Sequence, residues 1–213
     1  MNKYYPINLL LKNKSCLVIG GGAVAERKVR RLLECGARVL VISPKSTQGL
    51  NGLAKKKKII FKKRQINLKD LLGAYLVISA TDDREINLLV SSYCRKRNIL
   101  INIVDSPDEC SFILPSIIRR GALTVSVSTD GISPALSRKI RRDLQERFGA
   151  EYARFLRIMR EIRPAVLKKI KSLKIRKEFF KKALQPQIFD LLKKNKTRQA
   201  KVKLESNLKN VRT

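Results

Sequence analysis

Gly20, Gly22 and Ala25 form a G-x-G-x-x-A pattern between a short apolar run and a stretch with helical periodicity. In this pattern the first glycine permits a tight turn, the second lets a pyrophosphate approach the backbone, and the alanine lets the helix pack closely on the strand. The helix that follows, with Ala23 and Val24 at its start, offers free backbone N–H groups and the positive end of its dipole. The spacing therefore predicts a dinucleotide-binding turn.

The residues after the second apolar run bear on which dinucleotide binds. The pattern is usually followed, about 20 positions on, by an acidic residue that holds the adenosine ribose. The chain has Ser43, Pro44 and Lys45 there, and no acid. Ser43 can hydrogen-bond a ribose hydroxyl, whereas Lys45 can either meet a 2′-phosphate or lie in solvent. We predict that these three residues contact the cofactor. We expect this cofactor to be NAD, and NADP is the alternative that the sequence leaves open.

Two more candidates follow later apolar runs. Asp105 comes directly after the fifth run, beside the place where a nicotinamide would lie. A carboxylate there can exchange a proton with a substrate when burial makes its ionised form costly, but an aspartate in a loop or a helix cap would give the same pattern. Thr81 follows the fourth run and is predicted to contact the cofactor.

Apolar runs and helical stretches alternate through about residue 105. This alternation predicts an α/β fold with a Rossmann-type parallel sheet and helices on its faces. Ligands of such sheets bind outside the carboxyl ends of the strands, where the candidates above lie. The predicted strands are Ser15–Ile19, Arg38–Ile42, Ile59–Phe61, Tyr75–Ser79 and Ile99–Val104, and the predicted helices are Ala23–Glu34 and Glu85–Arg97.

A different pattern follows Asp105. Two strands are predicted at Phe112–Ile118 and Ala122–Ser128, and a helix then begins after Ser133, which has proline next to it, and ends near residue 148. Basic helices follow, and the last stretch, Lys193–Thr213, lacks strong apolar periodicity, so we predict that it frays. The predicted division is a dinucleotide-binding domain at 1–112, a strand-plus-helix region at 113–148 and a basic helical domain at 149–213.

The composition restricts the partners and the chemistry. The chain has 48 Lys+Arg against 17 Asp+Glu, a net charge of +31. Such a field attracts polyanions: nucleic acid, an anionic membrane, or a small molecule rich in carboxylates or phosphates. Histidine is absent, so the commonest general base and a common metal ligand are missing. We predict no metal site built from the protein's own side chains.

The cysteines and the hydrophobic segments bear on location. The four cysteines form no C-x-x-C pair, which favours reduced thiols in a cytoplasm. No segment approaches the roughly 18 apolar residues of a membrane helix, and we read no signal peptide in the first residues. We predict a cytoplasmic protein that has no membrane partner.

A basic run at Lys55–Arg64 carries seven positive charges in ten residues. A nucleic-acid patch is one interpretation, and an edge strand protected by lysines is the favoured one. Phe61 is the one aromatic residue in the run, and the chain has no tryptophan, so side chains that stack on bases are scarce. We therefore favour a partner other than nucleic acid.

Six stretches between about residue 5 and residue 142 carry a resemblance to a known family. They are Tyr5-Pro6-Ile7, VIGGGAVAERK, VISATDD, NIVDSP, SFILPSIIRRG and VSVSTDGISPALSRKIR. The chain resembles the precorrin-2 dehydrogenase/sirohydrochlorin ferrochelatase family, which includes the N-terminal half of siroheme synthase. The glycine pattern is common to many families, whereas NIVD followed by SFILPSIIRRG and STDGISP is far more particular.

The resemblance implies a subunit with three parts: a Rossmann domain, a short dimerisation region at 113–148 and a helical C-terminal domain. It implies an intertwined homodimer with the active-site cleft near the subunit interface. The implied reaction is dehydrogenation of precorrin-2 to sirohydrochlorin, with NAD+ accepting a hydride, and some members also insert Fe2+. The implied substrate is a tetrapyrrole with eight carboxylates, so the net charge of +31 leads us to expect a basic cleft.

The resemblance also suggests roles for individual residues. The aspartate of N-x-V-D is the family's proposed catalytic residue, and here it is Asp105. Thr129 stands where some members have a serine that can be phosphorylated. We expect Ser128, Thr129 and Arg138 to contact the substrate. Two other classes stay open: a redox sensor that binds a dinucleotide without catalysis, and a basic nucleic-acid-binding protein.

Overall fold

The computed structural model of the chain describes residues 4–209. Contacts within this range divide it into two compact units, with the division between Leu114 and Pro115. The domain boundaries predicted at 112/113 and 148/149 stay predictions. Among the helices of the described residues, none has both the length and the apolar composition needed to cross a bilayer.

The first unit is built on a five-stranded parallel sheet with the order β3-β2-β1-β4-β5. The prediction of an α/β fold with a Rossmann-type sheet is confirmed. The strands are β1 (Ser15–Ile19), β2 (Arg38–Ile42), β3 (Ile60–Lys62), β4 (Leu76–Ser79) and β5 (Leu100–Ile103). The helices are α1 (Ala23–Glu34), α2 (Gln48–Lys55) and α3 (Arg84–Lys96), with short 3₁₀ turns at Leu68–Leu71 and Pro107–Glu109.

The side chains of β1 alternate between two apolar clusters on opposite faces of the sheet. Cys16 and Val18 pack in the cluster that includes residues of α1. Leu17 and Ile19 pack in the cluster that includes residues of α3. All four side chains are buried, which explains why this strand is apolar throughout instead of alternating with polar residues.

The sheet changes direction between β1 and β4. The chain moves outward from β1 through β2 to β3 and then returns to pair β4 with the other side of β1. A crevice forms at such a switch point, outside the carboxyl ends of the two strands, and it is the usual ligand site of these sheets. The turn that begins at Gly20 follows β1 directly, so it lies at this crevice.

Helix α2 was not predicted from the sequence. Its eight residues include Gly49 and Gly52, and glycine is a poor helix former because it loses the most backbone freedom on folding. Tertiary contacts compensate, since Leu50 is fully buried in the sheet cluster. Thr47 caps the helix by accepting a hydrogen bond from the Leu50 N–H.

The basic run lies at the edge of the sheet. β3 is the outermost strand on the β2 side, so the interpretation of an edge strand protected by lysines is confirmed. Ile60 is exposed on this strand, between the lysines at 55–58 and the basic residues at 62–64. A charged surround of this kind opposes pairing with the edge of another sheet.

Asp70 joins the 3₁₀ turn to the basic edge. Its carboxylate accepts two hydrogen bonds from the Arg64 guanidinium, at 2.7 and 2.6 Å, and one from the Asn67 N–H at 2.9 Å. The hydrogen bonds from Arg64 hold the pKa of the Asp70 carboxyl well below its usual range, with smaller help from Asn67 and Lys62. The pair therefore stabilises the fold while the carboxyl is ionised.

We expect Asp70→Asn to lower the free energy of unfolding at pH 7 by about 1 kcal/mol, because Arg64 is partly solvated and its bonds are screened. A depressed pKa in the folded state gives stability that is full above the unfolded value, about 3.9, and is lost as the pH falls below it. The difference between wild type and variant in denaturant titrations should therefore shrink between pH 7 and pH 3. Asp143→Asn, at an exposed position, is the control. A difference that is equal at both pH values would contradict the prediction.

The second unit has an antiparallel hairpin and five helices in the described range. Ser133 caps α4, since its hydroxyl accepts a hydrogen bond from the Leu136 N–H, as predicted. The first strand of the hairpin begins later than predicted, because Pro115 has no N–H for a strand ladder. The elements are β6 (Ser116–Arg120), β7 (Leu123–Val127), α4 (Pro134–Arg147), α5 (Ala150–Lys169), α6 (Leu173–Lys182), α7 (Pro186–Lys193) and α8 (Thr197–Lys209).

The predicted fraying of Lys193–Thr213 is wrong for most of that stretch. Thr197–Lys209 forms α8, and Ala200 and Leu204 are fully buried in the apolar cluster of the helical unit. The apolar stripe of α8 was missed in the sequence because it is one side chain wide, with apolar residues four positions apart and lysines between them. Residues 210–213 of the predicted stretch lie outside the described range.

Candidate functional site

The glycine turn has the shape that a pyrophosphate requires. Gly20 has φ +112°, and a Cβ there would collide with the Ala80 carbonyl, so no other residue fits. A Cβ at Gly22 would meet nothing within 4 Å, which leaves open space above the backbone. Gly22 is also the N-cap of α1 and gives the helix no side-chain cap, so the first-turn N–H groups can bind an anion. These residues fit a dinucleotide.

Gly21 joins this turn to the loop after β2. A Cβ on Gly21 would collide with the Lys45 carbonyl and come within 2.9 Å of the Ser43 hydroxyl. The Thr47 N–H donates to the Gly21 carbonyl at 3.0 Å. Sequence reasoning gave Gly21 no role, and the only signal in the sequence was that the middle position of the pattern is also glycine.

Glu26 ties the same loop to α1. The Thr47 hydroxyl donates to a Glu26 carboxylate oxygen at 2.6 Å, and the Arg30 guanidinium donates to the other oxygen at 2.6 Å. The hydrogen bond from Thr47, and then that from Arg30, lower the pKa of the Glu26 carboxyl. Because Thr47 is also the N-cap of α2, one carboxylate fixes the start of α2 against the first turn of α1. Glu26 was not singled out from the sequence.

The three residues predicted after β2 lie beside the glycine turn. Ser43 is buried, and its hydroxyl accepts a hydrogen bond from the Lys45 N–H at 3.3 Å. Pro44 and Lys45 are exposed. None of the residues between Ile42 and Thr47 is acidic. This loop can therefore hydrogen-bond a ribose through its backbone and hydroxyl groups but not through a carboxylate. Contacts of these residues with the cofactor stay predictions.

A cavity of about 650 Å³ opens at the carboxyl ends of β4 and β5. Val24, Thr81 and Asp105, which were predicted separately, all line it. The start of α1 is therefore adjacent to the loops after β4 and β5. The rest of the lining is Ala80, Asp82, Arg84, Asn87, Leu88, Val104, Ser106, Pro107, Asp108 and Glu109.

Asp105 lies at the tip of the loop after β5. Its backbone has φ +60°, a left-handed conformation that aspartate and asparagine adopt more readily than most residues. The side chain is exposed. The sequence analysis tied a role as base to burial of this side chain, and the structure instead leaves it exposed at the cavity.

Hydrogen bonds with Cys110 hold the loop that carries Asp105 in place. The Ile103 N–H donates to the Cys110 sulfur at 3.1 Å, and the thiol lies 3.2 Å from the Ser106 carbonyl, which it can donate to. Burial raises the pKa of this thiol, so it remains protonated and can serve as donor and acceptor. The Ser91 hydroxyl adds a hydrogen bond to the Glu109 carbonyl at 2.9 Å. From the sequence, Cys110 was read only as a small apolar residue.

Asn87 fixes the other wall of the cavity. Its side-chain oxygen accepts from the Ser79 hydroxyl at 2.6 Å, and its amide donates to the Thr81 carbonyl at 3.0 Å. The end of β4 and the Thr81 loop are thereby held to α3. An asparagine in the first turn of a helix gives no distinctive sequence signal, so this residue was also missed.

The cavity lining is acidic although the chain is strongly basic. Asp82, Asp105, Asp108 and Glu109 contribute four carboxylates, and Arg84 is the one cation among the lining residues. This cavity is therefore not the basic cleft that was expected. The acidic residues collect here because they follow strand ends and start helices, as Asp83 does when it caps α3.

The residues predicted to contact the substrate belong to the second unit. The Thr129 hydroxyl donates to the Ser133 carbonyl at 3.0 Å and accepts from the Ser133 N–H at 3.1 Å, which stabilises the turn before α4. The Ser128 hydroxyl accepts from the Asp130 N–H at 3.1 Å. Arg138 is exposed on α4. Contacts of Ser128, Thr129 and Arg138 with substrate stay predictions.

In the part of the chain that the structure describes, no three His, Cys, Asp or Glu side chains come together to hold a metal ion. The four carboxylates of the cavity therefore line it without converging on one point. Within the same range no disulfide joins the four cysteines.

Three families match consecutive parts of the chain. The family described as "Putative NAD(P)-binding" matches residues 7–116, more than half of the chain. "Sirohaem biosynthesis protein central" matches residues 120–147, and "Sirohaem synthase dimerisation region" matches residues 151–208.

Two curated relatives are similar along nearly the whole chain. The siroheme synthase of Nitrosococcus oceani is 36% identical over 206 residues, and that of Vesicomyosocius okutanii is 33% identical over 207 residues. Each alignment covers 97% of this chain and 44% of the relative. The chain thus spans less than half the length of these relatives.

One solved structure is similar over its full length. The structure described as "SirC, precorrin-2 dehydrogenase" superposes with a TM-score of 0.78 and 27% identity. The match covers 95% of this chain and 100% of that one.

Proposed function

The chain belongs to the precorrin-2 dehydrogenase/sirohydrochlorin ferrochelatase family, which includes the N-terminal half of siroheme synthase, and on that premise we propose that it oxidises precorrin-2 to sirohydrochlorin with NAD. The observation that carries the proposal is that Val24 of the dinucleotide-binding helix and Asp105 line one cavity. A hydride acceptor bound at the turn and a carboxylate base would then act on the same substrate.

The chain's own residues bind the cofactor, orient the reacting groups and accept a proton. The glycine turn and the N–H groups at the start of α1 hold the pyrophosphate. Bound NAD+ supplies the acceptor for the hydride, which removes two electrons and one proton from the substrate. Asp105 accepts the second proton that leaves as the new double bond forms. The hydrogen bonds of Asn87 and Cys110 hold the loops after β4 and β5 in place.

The charge distribution suggests how the substrate binds. The net charge of +31 attracts a tetrapyrrole with eight carboxylates over a long range. The acidic lining beside Asp105 repels those carboxylates. The reacting carbon can therefore enter the cavity while the carboxylate-bearing side chains of the substrate, its acidic arms, point to other surfaces. We propose that Ser128, Thr129 and Arg138 meet some of these arms, and that Ser43, Pro44, Lys45 and Thr81 contact the cofactor.

We also propose a homodimer in the cytoplasm. The match of residues 151–208 to a dimerisation region supports self-association, and the absence of disulfides in the described residues fits a reducing compartment. The proposed organisation keeps the predicted parts: a Rossmann domain at 1–112, a dimerisation region at 113–148 and a helical domain at 149–213. The basic surface provides the contacts for the substrate rather than for nucleic acid.

An anaerobic assay tests the proposed reaction. We expect purified protein mixed with precorrin-2 and NAD+ to form NADH and sirohydrochlorin, both followed by absorbance, and a parallel reaction with NADP+ measures the cofactor preference. A redox sensor would bind NAD without turnover, and either result would exclude the other class. A band shift of DNA that falls steeply with salt, without turnover, would support the nucleic-acid reading instead.

Iron insertion is a second candidate activity, and the carboxylate lining of the cavity favours it. Carboxylates attract hard divalent cations, and Fe2+ would here be a substrate in transit, since no three donors converge in the described residues. Adding Fe2+ to the sirohydrochlorin made in the same assay tests it. Formation of siroheme no faster than without protein would rule it out.

A further inference from the structure

Two exposed side chains of α3 line the cavity. Arg84 and Leu88 are four residues apart, so they lie on one side of the helix, one turn apart, and both belong to the cavity lining. Asn87 lines the cavity beside them, and its hydrogen bonds to Ser79 and Thr81 attach this turn of α3 to the end of β4. The two side chains therefore extend from a part of the wall whose position is fixed.

Arg84 has no counter-ion among residues 4–209. No hydrogen bond or ion pair in that range engages its guanidinium, whereas Arg30 and Arg64 each pair with a carboxylate. A cation in the first turn of a helix also opposes the helix dipole, so the stability of α3 does not account for an arginine at its first position. The guanidinium, whose N–H donors match a carboxylate in pairs, is available to a ligand.

Leu88 adds apolar surface next to this cation. Its side chain is 46% exposed although it lines a cavity. Leu89, the next residue, is 54% exposed and is not among the lining residues. A single exposed leucine is ordinary on a protein surface, but one in a cavity wall beside an unpaired cation gives a ligand an apolar contact and a charged contact together.

The proposed substrate has the matching pair of features, since it is a ring system with carboxylate arms around its edge. The other charged residues of the lining are all acidic, so they repel these arms. Arg84 is therefore the one place in the lining that attracts an arm. An arm bound there fixes how the ring is turned relative to Asp105, which lines the same cavity.

We propose that Arg84 and Leu88 bind the substrate and set its orientation, Arg84 by holding one acidic arm and Leu88 by contacting the apolar face of the ring. The inference rests on the proposed function for the identity of the substrate. Binding of a carboxylate-rich ring to this wall is nevertheless measurable without turnover. Neither side chain takes part in the proton transfer.

The first test measures binding alone. The probe is uroporphyrin, a stable tetrapyrrole with carboxylate arms around the whole ring, and its absorbance change gives Kd. Arg84→Met keeps much of the apolar stem and removes the charge, Arg84→Lys keeps the charge, and Lys96→Met removes an exposed charge at the other end of α3. We expect Kd to rise about ten-fold for Arg84→Met and about three-fold for Arg84→Lys, which loses the paired hydrogen bonds. Lys96→Met should change Kd by less than about two-fold. Equal Kd values for Arg84→Met and Lys96→Met, or a wild type that does not bind uroporphyrin, would overturn the role of Arg84.

The second test separates substrate from cofactor. Leu88→Asn and Leu89→Asn make the same change at adjoining exposed positions, of which only the first lines the cavity. We expect Leu88→Asn to raise the KM for precorrin-2 about five-fold and to change kcat by less than about three-fold, because a contact made equally in the ground and transition states is lost. Leu89→Asn should stay within about two-fold of wild type. Calorimetry should give the same NAD affinity in all variants.

The remaining outcomes distinguish this inference from the proposed function. Equal KM values for Leu88→Asn and Leu89→Asn would overturn the role of Leu88. A loss of NAD affinity in Arg84→Met with an unchanged KM for precorrin-2 would assign this wall to the cofactor and overturn the proposal. Weaker uroporphyrin binding by Arg84→Met, in a protein whose wild type does not oxidise precorrin-2, would support the binding site and reject the proposed function.

Discussion

Asp105→Asn should lower the turnover of precorrin-2 by a factor of about 10² to 10⁴, the usual effect of removing a positioned general base. Asparagine adopts the left-handed backbone as readily as aspartate, so the loop keeps its conformation and only the proton acceptor is lost. Asp105→Ala removes the same group but adds backbone strain at φ +60°, which makes it the less informative variant. Initial rates of NADH formation measure the loss.

The control for this variant is Asp82→Asn, which removes another carboxylate from the same cavity. It should change turnover by less than about five-fold, since it alters only the local charge. Calorimetric titration should give the same affinity for NAD in both variants and in wild type. Turnover of Asp105→Asn at the wild-type rate would mean that a different group, or solvent, takes the proton.

Substitutions at Gly22 should weaken cofactor binding in proportion to the size of the added side chain. A Cβ there enters open space, so Gly22→Ala and Gly22→Val should fold, yet the added methyl groups occupy the place of the pyrophosphate. We expect NAD affinity to fall about ten-fold for alanine and about 100-fold for valine, or about 1.4 and 2.7 kcal/mol. Calorimetry with NAD measures the affinity, and thermal unfolding without NAD measures the fold.

Gly52→Ala is the matched control for the Gly22 series. A Cβ at Gly52 also meets nothing within 4 Å, but the position lies within α2, where alanine favours the helix by up to about 1 kcal/mol. This variant should bind NAD normally and unfold at a slightly higher temperature. If Gly22→Val bound NAD as tightly as Gly52→Ala, the pyrophosphate would have to lie elsewhere.

The residues that sequence reasoning identified are those whose role is local. β1 and α1 have the predicted bounds, because a buried apolar run, a glycine turn and a helical stripe are all encoded by neighbours in the chain. Asp105 and Thr81 were predicted as site residues because parallel strands end at one edge of the sheet, and both line one cavity. That rule predicts the edge of the sheet at which a residue lies, but it does not predict which groups the residue contacts.

The residues that were missed depend on contacts between distant parts of the chain. Glu26 meets Thr47 from 21 positions away, and Asn87 meets Ser79 across a helix start. Whether Asp105 is buried could not be predicted from the sequence, because the exposure of a loop residue depends on how the residues after it fold back; the structure shows it exposed. Helix α2 formed against its own propensity, since burial of Leu50 outweighs the cost of two glycines.

The hydrogen bonds that hold the Asp105 loop form when the chain folds, so the loop is ordered before a substrate binds. The main-chain groups of this loop are bound by Cys110, by Ser91 and by the end of β4. At the end of β4, the Val104 N–H donates to the Ser79 carbonyl at 2.9 Å. Fixing a backbone costs about 1 to 2 kcal/mol per residue in lost entropy, and here folding has already met that cost before any substrate arrives. Under the proposed function, the loop that carries the base is thus preorganised, so substrate binding energy need not be spent on closing this loop and can lower the barrier of the reaction itself.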